Sequence, residues 1–304
     1  MYNLKNMARS EIYLGVDVGG TKIHAGLVSQ TKVIKQIRVA TGVNQGRPAV
    51  INNIKKTISE LNSSQVKGIG VSIAGSISAD RGSVLFSPNL PKNFKNVPLG
   101  KILKKTFKKE IRIENDANCF TLGEAIFGAG KKYDNVVGLT LGTGVGSGWV
   151  MNSKIYSGAQ HLATELGHTT IVDHGIECNC GQKGHLEIYA SGSGMIKLYK
   201  LVAGKKADAY EIEKKAKRKD RQATQVFHIM QEALAVGLAN IINGLNPGIV
   251  VLGGGLIRVP LFWRPAIALA RKKLIYQPSK RIPIVKGKLG ENAAVLGATL
   301  LFKQ

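Results

Sequence analysis

The chain has 304 residues, 44% of them apolar, and a formal net charge of +24. It is long enough to bury a sizeable core, as one large domain or two medium ones, and it reads as globular and soluble. No apolar run approaches the roughly 18–20 residues that span a bilayer, which excludes a membrane-spanning class.

The opening MYNLKNMARS lacks the apolar core of a signal peptide. Beyond it, EIYLGVDV, KIHAGLV and VIKQIRV, separated by tight turns, predict an antiparallel meander. A helix is expected over Pro48–Leu61, and KGIGVSIAG reads as a buried strand. IRIEN is another strand, leading into a helix over Asp116–Phe127 with Asn115 or Asp116 as its cap. NVVGLTL, GTG and VGSGWVM then repeat the strand, Gly/Thr turn, strand pattern of the opening, which suggests a duplicated fold with a cleft between the copies. Helices are expected over Ser193–Ala203, Ala209–Lys219 and Ala223–Leu245, then a strand at GIVVL. Two more, Leu261–Lys273 and Asn292–Phe302, bracket the strand RIPIV. Alternation of strands and helices is an α/β signature.

The basic residues are scattered: Lys101, Lys104, Lys105, Lys108 and Lys109, then Lys214, Lys215, Lys217, Arg218 and Lys219. The longest cluster, KKAKRKDR, follows EIE on an expected exposed helix and has no interleaved aromatics for base stacking. A solvated lysine-rich surface therefore outweighs a nucleic-acid or membrane partner, and neither partner is expected.

Three glycine turns follow buried-looking strands: Gly19-Gly20-Thr21, Gly142-Thr143-Gly144 and Gly253-Gly254-Gly255. Glycine lets backbone N–H groups approach an anion closely, and the threonine hydroxyls add donors; a plain hairpin turn is the alternative for each. None fits GxxxxGK[ST], and none is expected to precede a helix as GxGxxG does. Asp17 stands beside the first turn, either as a turn cap or as the carboxylate that meets phosphates through Mg²⁺. Asp116 is either a helix cap or a general base; a carboxylate at a helix N-terminus is stabilised as the anion, so it is expected to be ionised at neutral pH.

The segment ELGHTTIVDHGIECNCGQKGHLE holds His168, Cys178, Cys180 and His185 between Glu165 and Glu187. Two thiolates and two imidazoles are donors that a tetrahedral zinc ion prefers; a metal-free loop stiffened by Gly181 and Gly184 is the alternative. Two of the three cysteines lie in this cluster, which argues against a disulfide framework and for a reducing cytoplasm. Cys119 reads as a small buried apolar residue.

Taken in order, DVGGTK, ENDAN, LGTGVG, ELGH, CNCGQKGHLE and VVLGGGL resemble the ROK family of repressors and sugar kinases across nearly the whole chain. From His168 the next donors come ten, twelve and seventeen residues on, as in the family's zinc motif. The resemblance implies an actin-like, hexokinase-like ATPase fold: two α/β lobes, expected at 1–115 plus 291–304 and at 116–290, closing over ATP and a sugar. It implies that Asp116 is the base, that Gly75, Asn89, Asn115, Asp116, Glu165, His168 and Glu187 bind the sugar, and that Asp17, Gly19, Gly20, Thr21, Lys22, Gly142, Thr143, Gly144, Gly253, Gly254 and Gly255 line the ATP and Mg²⁺ side. A homodimer is also implied. The chain departs from the family pattern at His185, where the motif has cysteine; His reaches farther from the backbone than Cys, so the loop is expected to adjust. The sugar-sensing repressors of the family carry a helix-turn-helix before the core; with the first core strand expected from about Glu11, no such domain is expected here. A hexose is the expected acceptor, glucose at its 6-hydroxyl first, with N-acetylmannosamine, N-acetylglucosamine and fructose as alternatives, and polyphosphate as the alternative donor.

Overall fold

The computed structural model describes residues 11–304; the first ten, read above for a leader segment, lie outside the described residues. The β-branched runs of the opening form β1 (Ile12–Val18), β2 (Lys22–Ser29) and β3 (Lys32–Ala40), paired as the expected meander. Next come α1 (Gly46–Ser59), β4 (Val66–Ile73), the short hairpin of β5 (Ser76–Ile77) and β6 (Val84–Phe86), α2 (Leu99–Phe107), β7 (Glu110–Asn115) and α3 (Asp116–Phe127). The remainder is β8 (Asn135–Leu141), β9 (Val145–Met151), β10 (Lys154–Ile155), α4 (Leu186–Ala190), α5 (Gly192–Ala203), α6 (Ala209–Lys217), α7 (Arg221–Leu245), β11 (Ile249–Gly253), α8 (Pro260–Lys273), β12 (Ile284–Lys286) and α9 (Ala293–Leu300). Four short strands and helices, β5, β6, β10 and α4, fall below the length at which periodicity is readable. In α2 the lysines mask an apolar stripe of Leu99, Ile102, Leu103 and Phe107.

One five-stranded sheet has the order β3-β2-β1-β4-β7 and the other β10-β9-β8-β11-β12. Counted in chain order within each sheet, both read third, second, first, fourth, fifth. The repeat visible in the sequence is thus the start of a whole repeated sheet.

The chain packs as two compact units. One runs to Gly138 and is completed by Gly148–Thr164 and Gly287–Gln304; the other comprises Leu139–Ser147 and Glu165–Lys286. These bounds differ from the lobes expected above. Chain order assigned α3 to the second lobe, but α3 packs along α9, so residues 116–138 sit with the N-terminal sheet.

In the first unit, one face of the sheet packs Leu14, Val16, Ile69 and Val71 against Val50, Ile54 and Ile58 of α1 and Leu103 of α2. On the other face a row of glycines, Gly26, Gly15 and Gly70, is held in register across β2, β1 and β4. A Cβ at Gly15 would collide with the carbonyl of Val295, and one at Gly70 with that of Ala298. α9 therefore rests its backbone directly on the sheet. Its Gly297 likewise meets the carbonyl of Cys119, which brings α3 into the same close stack.

The far end of α3 is held by Glu124, which is fully buried. Its carboxylate accepts from the N–H groups of Ala129 (2.8 Å), Lys288 (3.0 Å) and Leu289 (2.8 Å). The chain returning from β12 is fastened to α3 there. In the second unit, α7 packs against α4, α5, α6 and α8. It is the one described helix long and apolar enough to cross a membrane by composition, and 67% of its most apolar stretch is buried within the protein, as in a core helix. On α6, Lys215 and Lys217 pair with Glu211 and Glu213 one turn away, so part of the basic run is offset locally.

Glu124→Ala would remove the acceptor of three partly buried amide bonds, each at about 1–3 kcal/mol. A stability loss of roughly 3 kcal/mol or more in urea unfolding is expected; a loss below about 1 kcal/mol would show that the amides are satisfied some other way.

Candidate active site

β1, β4 and β7 run parallel, with Asp17, Ser72 and Glu114 in one row and Val18, Ile73 and Asn115 in the next. The Ser72 hydroxyl donates to Asp17 Oδ1 at 2.7 Å. Ser72 was not singled out from the sequence, although a hydroxyl in the otherwise apolar KGIGVSIAG was a readable signal. At the end of β7, Asn115 caps α3: its Oδ1 accepts from the N–H groups of Ala117 (2.9 Å) and Asn118 (3.1 Å). Its Nδ2 donates to the carbonyl of Gly75 at 3.1 Å, which leaves one amide N–H for a ligand. Gly75 has φ 124°, and a Cβ there would collide with the carbonyl of Phe86.

Asp116 opens α3, with Oδ1 accepting from the N–H of Ala117 at 2.9 Å. Burial, and then the nearby negative charge of Asp17, push its pKa up to about 6, against the pull of the helix amides. The helix N-terminus is thus the smaller effect, opposite to the emphasis of the sequence reading. The group still stays about nine-tenths ionised at pH 7. Asp17 is itself raised by burial, with Ser72 and Lys22 opposing.

The turn between β1 and β2 closes with Gly19 N–H donating to the carbonyl of Lys22 at 3.0 Å, and the Thr41 hydroxyl braces it on the carbonyl of Gly19 at 2.7 Å. Thr21 is exposed. The Lys22 ammonium, expected on the nucleotide side, lies 3.1 Å from Glu291, whose carboxylate also meets Arg38. Asn89, expected on the sugar side, lies against the turn: a Cβ at Gly20 would come within 3.0 Å of its carbonyl oxygen.

In the second unit the turn Gly142-Thr143-Gly144 is clamped from two directions. Gly192 N–H donates to the carbonyl of Gly142 (2.8 Å), and the Ser193 hydroxyl to that of Thr143 (2.8 Å). From α4, Glu187 Oε2 accepts the N–H of Val145 at 3.0 Å, and a Cβ at Gly144 would collide with it. Ser193 was not singled out either; its signal was the small polar run ASGSG. At Gly253-Gly254-Gly255, Gly254 has φ 83° and lies against the backbone of Leu141. Gly255 opens a short 3-10 helix to Arg258 that leads into α8, so this turn does precede a helix, contrary to the expectation.

Glu165 stands before the 3-10 turn Leu166–His168; its carbonyl accepts the His168 N–H at 3.0 Å and its side chain is exposed. The donor atoms of His168, Cys178, Cys180 and His185 all lie within 4.8 Å of one another. Cys178 Sγ is 3.9 Å from His168 Nδ1, and Cys180 Sγ is 3.2 Å from His185 Nδ1. Donors around a tetrahedral zinc are about 3.3–3.8 Å apart, so this donor set fits the ion. His185 leads into α4 without capping it. Burial, then His168, lowers its pKa towards the neutral, ligating form. Burial pushes the Cys178 thiol up to about 11, a direction that a bound dication inverts. With Nδ1 of His168 in the cluster, Nε2 is the ring nitrogen left for a further hydrogen bond. The Tyr189 hydroxyl braces the loop by accepting the N–H of Ile176 at 2.7 Å. Cys119 is fully buried in α3, away from the cluster, as read from the sequence.

The family model described as ROK matches residues 13–304. A glucokinase of Thermotoga maritima is 37% identical over 311 residues, with 96% of this chain and 97% of that protein covered. An N-acetyl-D-glucosamine kinase of Histophilus somni is 32% identical over 304 residues, with 96% of this chain and 99% of that protein covered. Among solved structures, a ROK family glucokinase from Streptomyces griseus in complex with glucose and AMPPNP matches with a TM-score of 0.81 at 29% identity, covering 95% of this chain and 98% of that one. The two sheets of like strand order are those of the actin-like ATPase fold. By the span of the family match and by these identities, the chain belongs to the ROK family.

Proposed function

We propose that the chain is an ATP-dependent hexose kinase, with glucose as the first acceptor. The observation that carries this reading is the Asp116 carboxylate, at the head of α3 beside Asp17, with its pKa raised to about 6. That value suits a base at neutral pH: mostly ionised, yet basic enough to take a proton. In the reaction, an acceptor hydroxyl oxygen forms a bond to the γ-phosphorus, the bond from that phosphorus to the β-phosphate oxygen breaks, and ADP leaves. Asp116 accepts the hydroxyl proton as the P–O bond forms. The transition state is loose, so positioning and charge neutralisation contribute most of the catalysis. In the first unit Gly75, Asn89 and Asn115 carry the acceptor-binding role; in the second, Glu165, His168 and Glu187 carry it. The N–H groups of the three glycine turns, with Thr21 and Thr143, receive the phosphates.

Asp17 is the carboxylate that would hold Mg²⁺, which when bound neutralises phosphate charge. The cluster of His168, Cys178, Cys180 and His185 would hold a structural Zn²⁺ that stiffens the loop carrying His168. The free thiols agree with a reducing cytoplasm. A homodimer is part of the same reading. The N-acetylglucosamine kinase relative, at 32% identity over nearly the full chain, supports a second reading in which the acceptor carries an acetamido group.

An ADP-release assay across glucose, N-acetylglucosamine, N-acetylmannosamine and fructose is expected to give the highest kcat/KM with glucose; turnover of none of them would sink the kinase reading. Asp116→Asn is expected to leave hexose affinity within a few-fold and to cut kcat by about 10²–10⁴. Near-normal turnover in that variant would remove Asp116 as the base.

The pH dependence follows from the same carboxyl. Activity is expected to fall as pH drops through about 6, where Asp116 becomes protonated. The folded pKa lies above the unfolded value of about 3.9, so this group favours folding below pH ~4 and loses that contribution as pH rises through its folded pKa. Asp116→Asn should therefore melt at a higher temperature than the parent at pH 7, with the gain gone at pH 4. An unchanged melting temperature at pH 7 would show that burial does not burden this carboxylate.

Purified protein is expected to hold about one zinc per chain. Cys178→Ser is expected to release it to a chromogenic chelator and to raise the hexose KM more than the ATP KM. Fully active protein without zinc would take the metal out of the reading.

A further inference from the structure

The segment from Gly75 to Asn89 carries two proposed acceptor contacts, and its Ile77 and Val84 are buried in the core of the unit. Of its hairpin, Leu85 and Phe86 are 37% and 51% exposed. The connecting loop closes on itself: the Ser78 and Gly82 groups bond the Asp80 carboxylate, and Ser83 N–H donates to the Ser78 hydroxyl at 2.8 Å. Val84 also pairs with Val97 through two backbone hydrogen bonds of 2.9 Å, and the loop adds polar ties of its own. Gly100 N–H donates to the carbonyl of Gly82 at 2.8 Å, and Ile113 N–H to that of Arg81 at 3.0 Å.

The ionic tie comes from Arg81, a residue at φ 54° whose Nε lies 3.3 Å from Glu114 Oε2. The two side chains are 20% and 9% exposed, so the pair is shielded from salt and water. The other oxygen of Glu114 is committed to the catalytic end of the sheet. Oε1 accepts from Asn115 N–H at 2.9 Å and from Asn118 Nδ2 at 3.1 Å, both beside Asp116. One carboxylate therefore joins the head of α3 to the Gly75–Asn89 segment, and Arg81 is its cationic partner on that segment.

We propose that Arg81 is a positioning residue for the acceptor: through its ion pair with Glu114 it fixes where Gly75 and Asn89 stand relative to Asp116. This rests on the kinase reading above. Arg81 touches neither reacting atom, so its loss should act on acceptor placement and leave nucleotide binding alone. A misplacement of about 1 Å costs up to roughly 10²-fold.

The test compares Arg81→Met, Arg81→Lys and the double variant Arg81→Met/Glu114→Gln with the parent. Two things are read: separate KM values for hexose and ATP, and amide hydrogen exchange over residues 76–86. Arg81→Met is expected to raise the hexose KM about 10–100-fold, to leave the ATP KM within about 2-fold, and to speed exchange in the hairpin. Arg81→Lys, which keeps the charge, is expected to recover most of the hexose KM. If Arg81→Met does not fold, the double variant, which removes the stranded carboxylate, is expected to show the same split. An unchanged hexose KM in a folded variant, or equal rises for hexose and ATP, overturns the proposal. If the parent phosphorylates no hexose, the kinase reading fails, and the exchange arm still decides: unaltered protection of residues 76–86 in the Met variant overturns the role of Arg81.

Discussion

Everything in the first unit depends on the parallel register of β1, β4 and β7. It sets Asp17, Ser72 and Glu114 side by side on one face. α3 then lies over that row: the thiol of Cys119 is pushed well above its usual value by burial and by Glu114, Asp17 and Asp116 together. Carboxylates gathered in a shielded place repel one another, and each needs a partner or a raised pKa. Here Asp17 has Ser72, Glu114 has Arg81 and two N–H donors, and Asp116 is left with the helix amides and a raised pKa. The chemistry proposed for Asp116 follows from its burial first and from the charge of Asp17 second.

The crowding is possible because small residues let the backbones close in. The glycine row under α9, and Gly297 against Cys119, draw α3 onto the sheet so that its first residue meets the strand ends. Glu124 fastens the other end of the same helix to the returning chain. A helix held at its cap, along its length and at its far end presents Asp116 with little freedom, which is what a positioned base needs.

The second sheet repeats the strand order of the first, but its glycine turn is braced differently. Glu187 stands at the junction: Oε2 holds the N–H of Val145, while Oε1 lies 3.7 Å from Cys178 Sγ. The loop bearing the His/Cys cluster and the turn expected to meet phosphate are therefore parts of one hydrogen-bonded assembly. His185, where the family motif has cysteine, sits within it without disturbing the gathering of the four donors.

What the sequence determined by itself is whatever is encoded within a few residues: the opening meander, the cap at Asn115 with α3 behind it, the glycine turns, and donors ten, twelve and seventeen residues beyond His168. Each rests on a local rule of period, capping or ligand spacing. What only the tertiary structure decided is which distant groups meet. Ser72 reaches Asp17 across fifty-five positions. Lys22 meets Glu291, Asn89 lies against Gly20, and residues 116–138 join the N-terminal sheet because α3 packs on α9. The direction of the Asp116 shift belongs to the same class. A helix N-terminus, visible in the sequence, pulls the pKa down, whereas burial and Asp17 push it up, and strand pairing and helix packing create the larger effect.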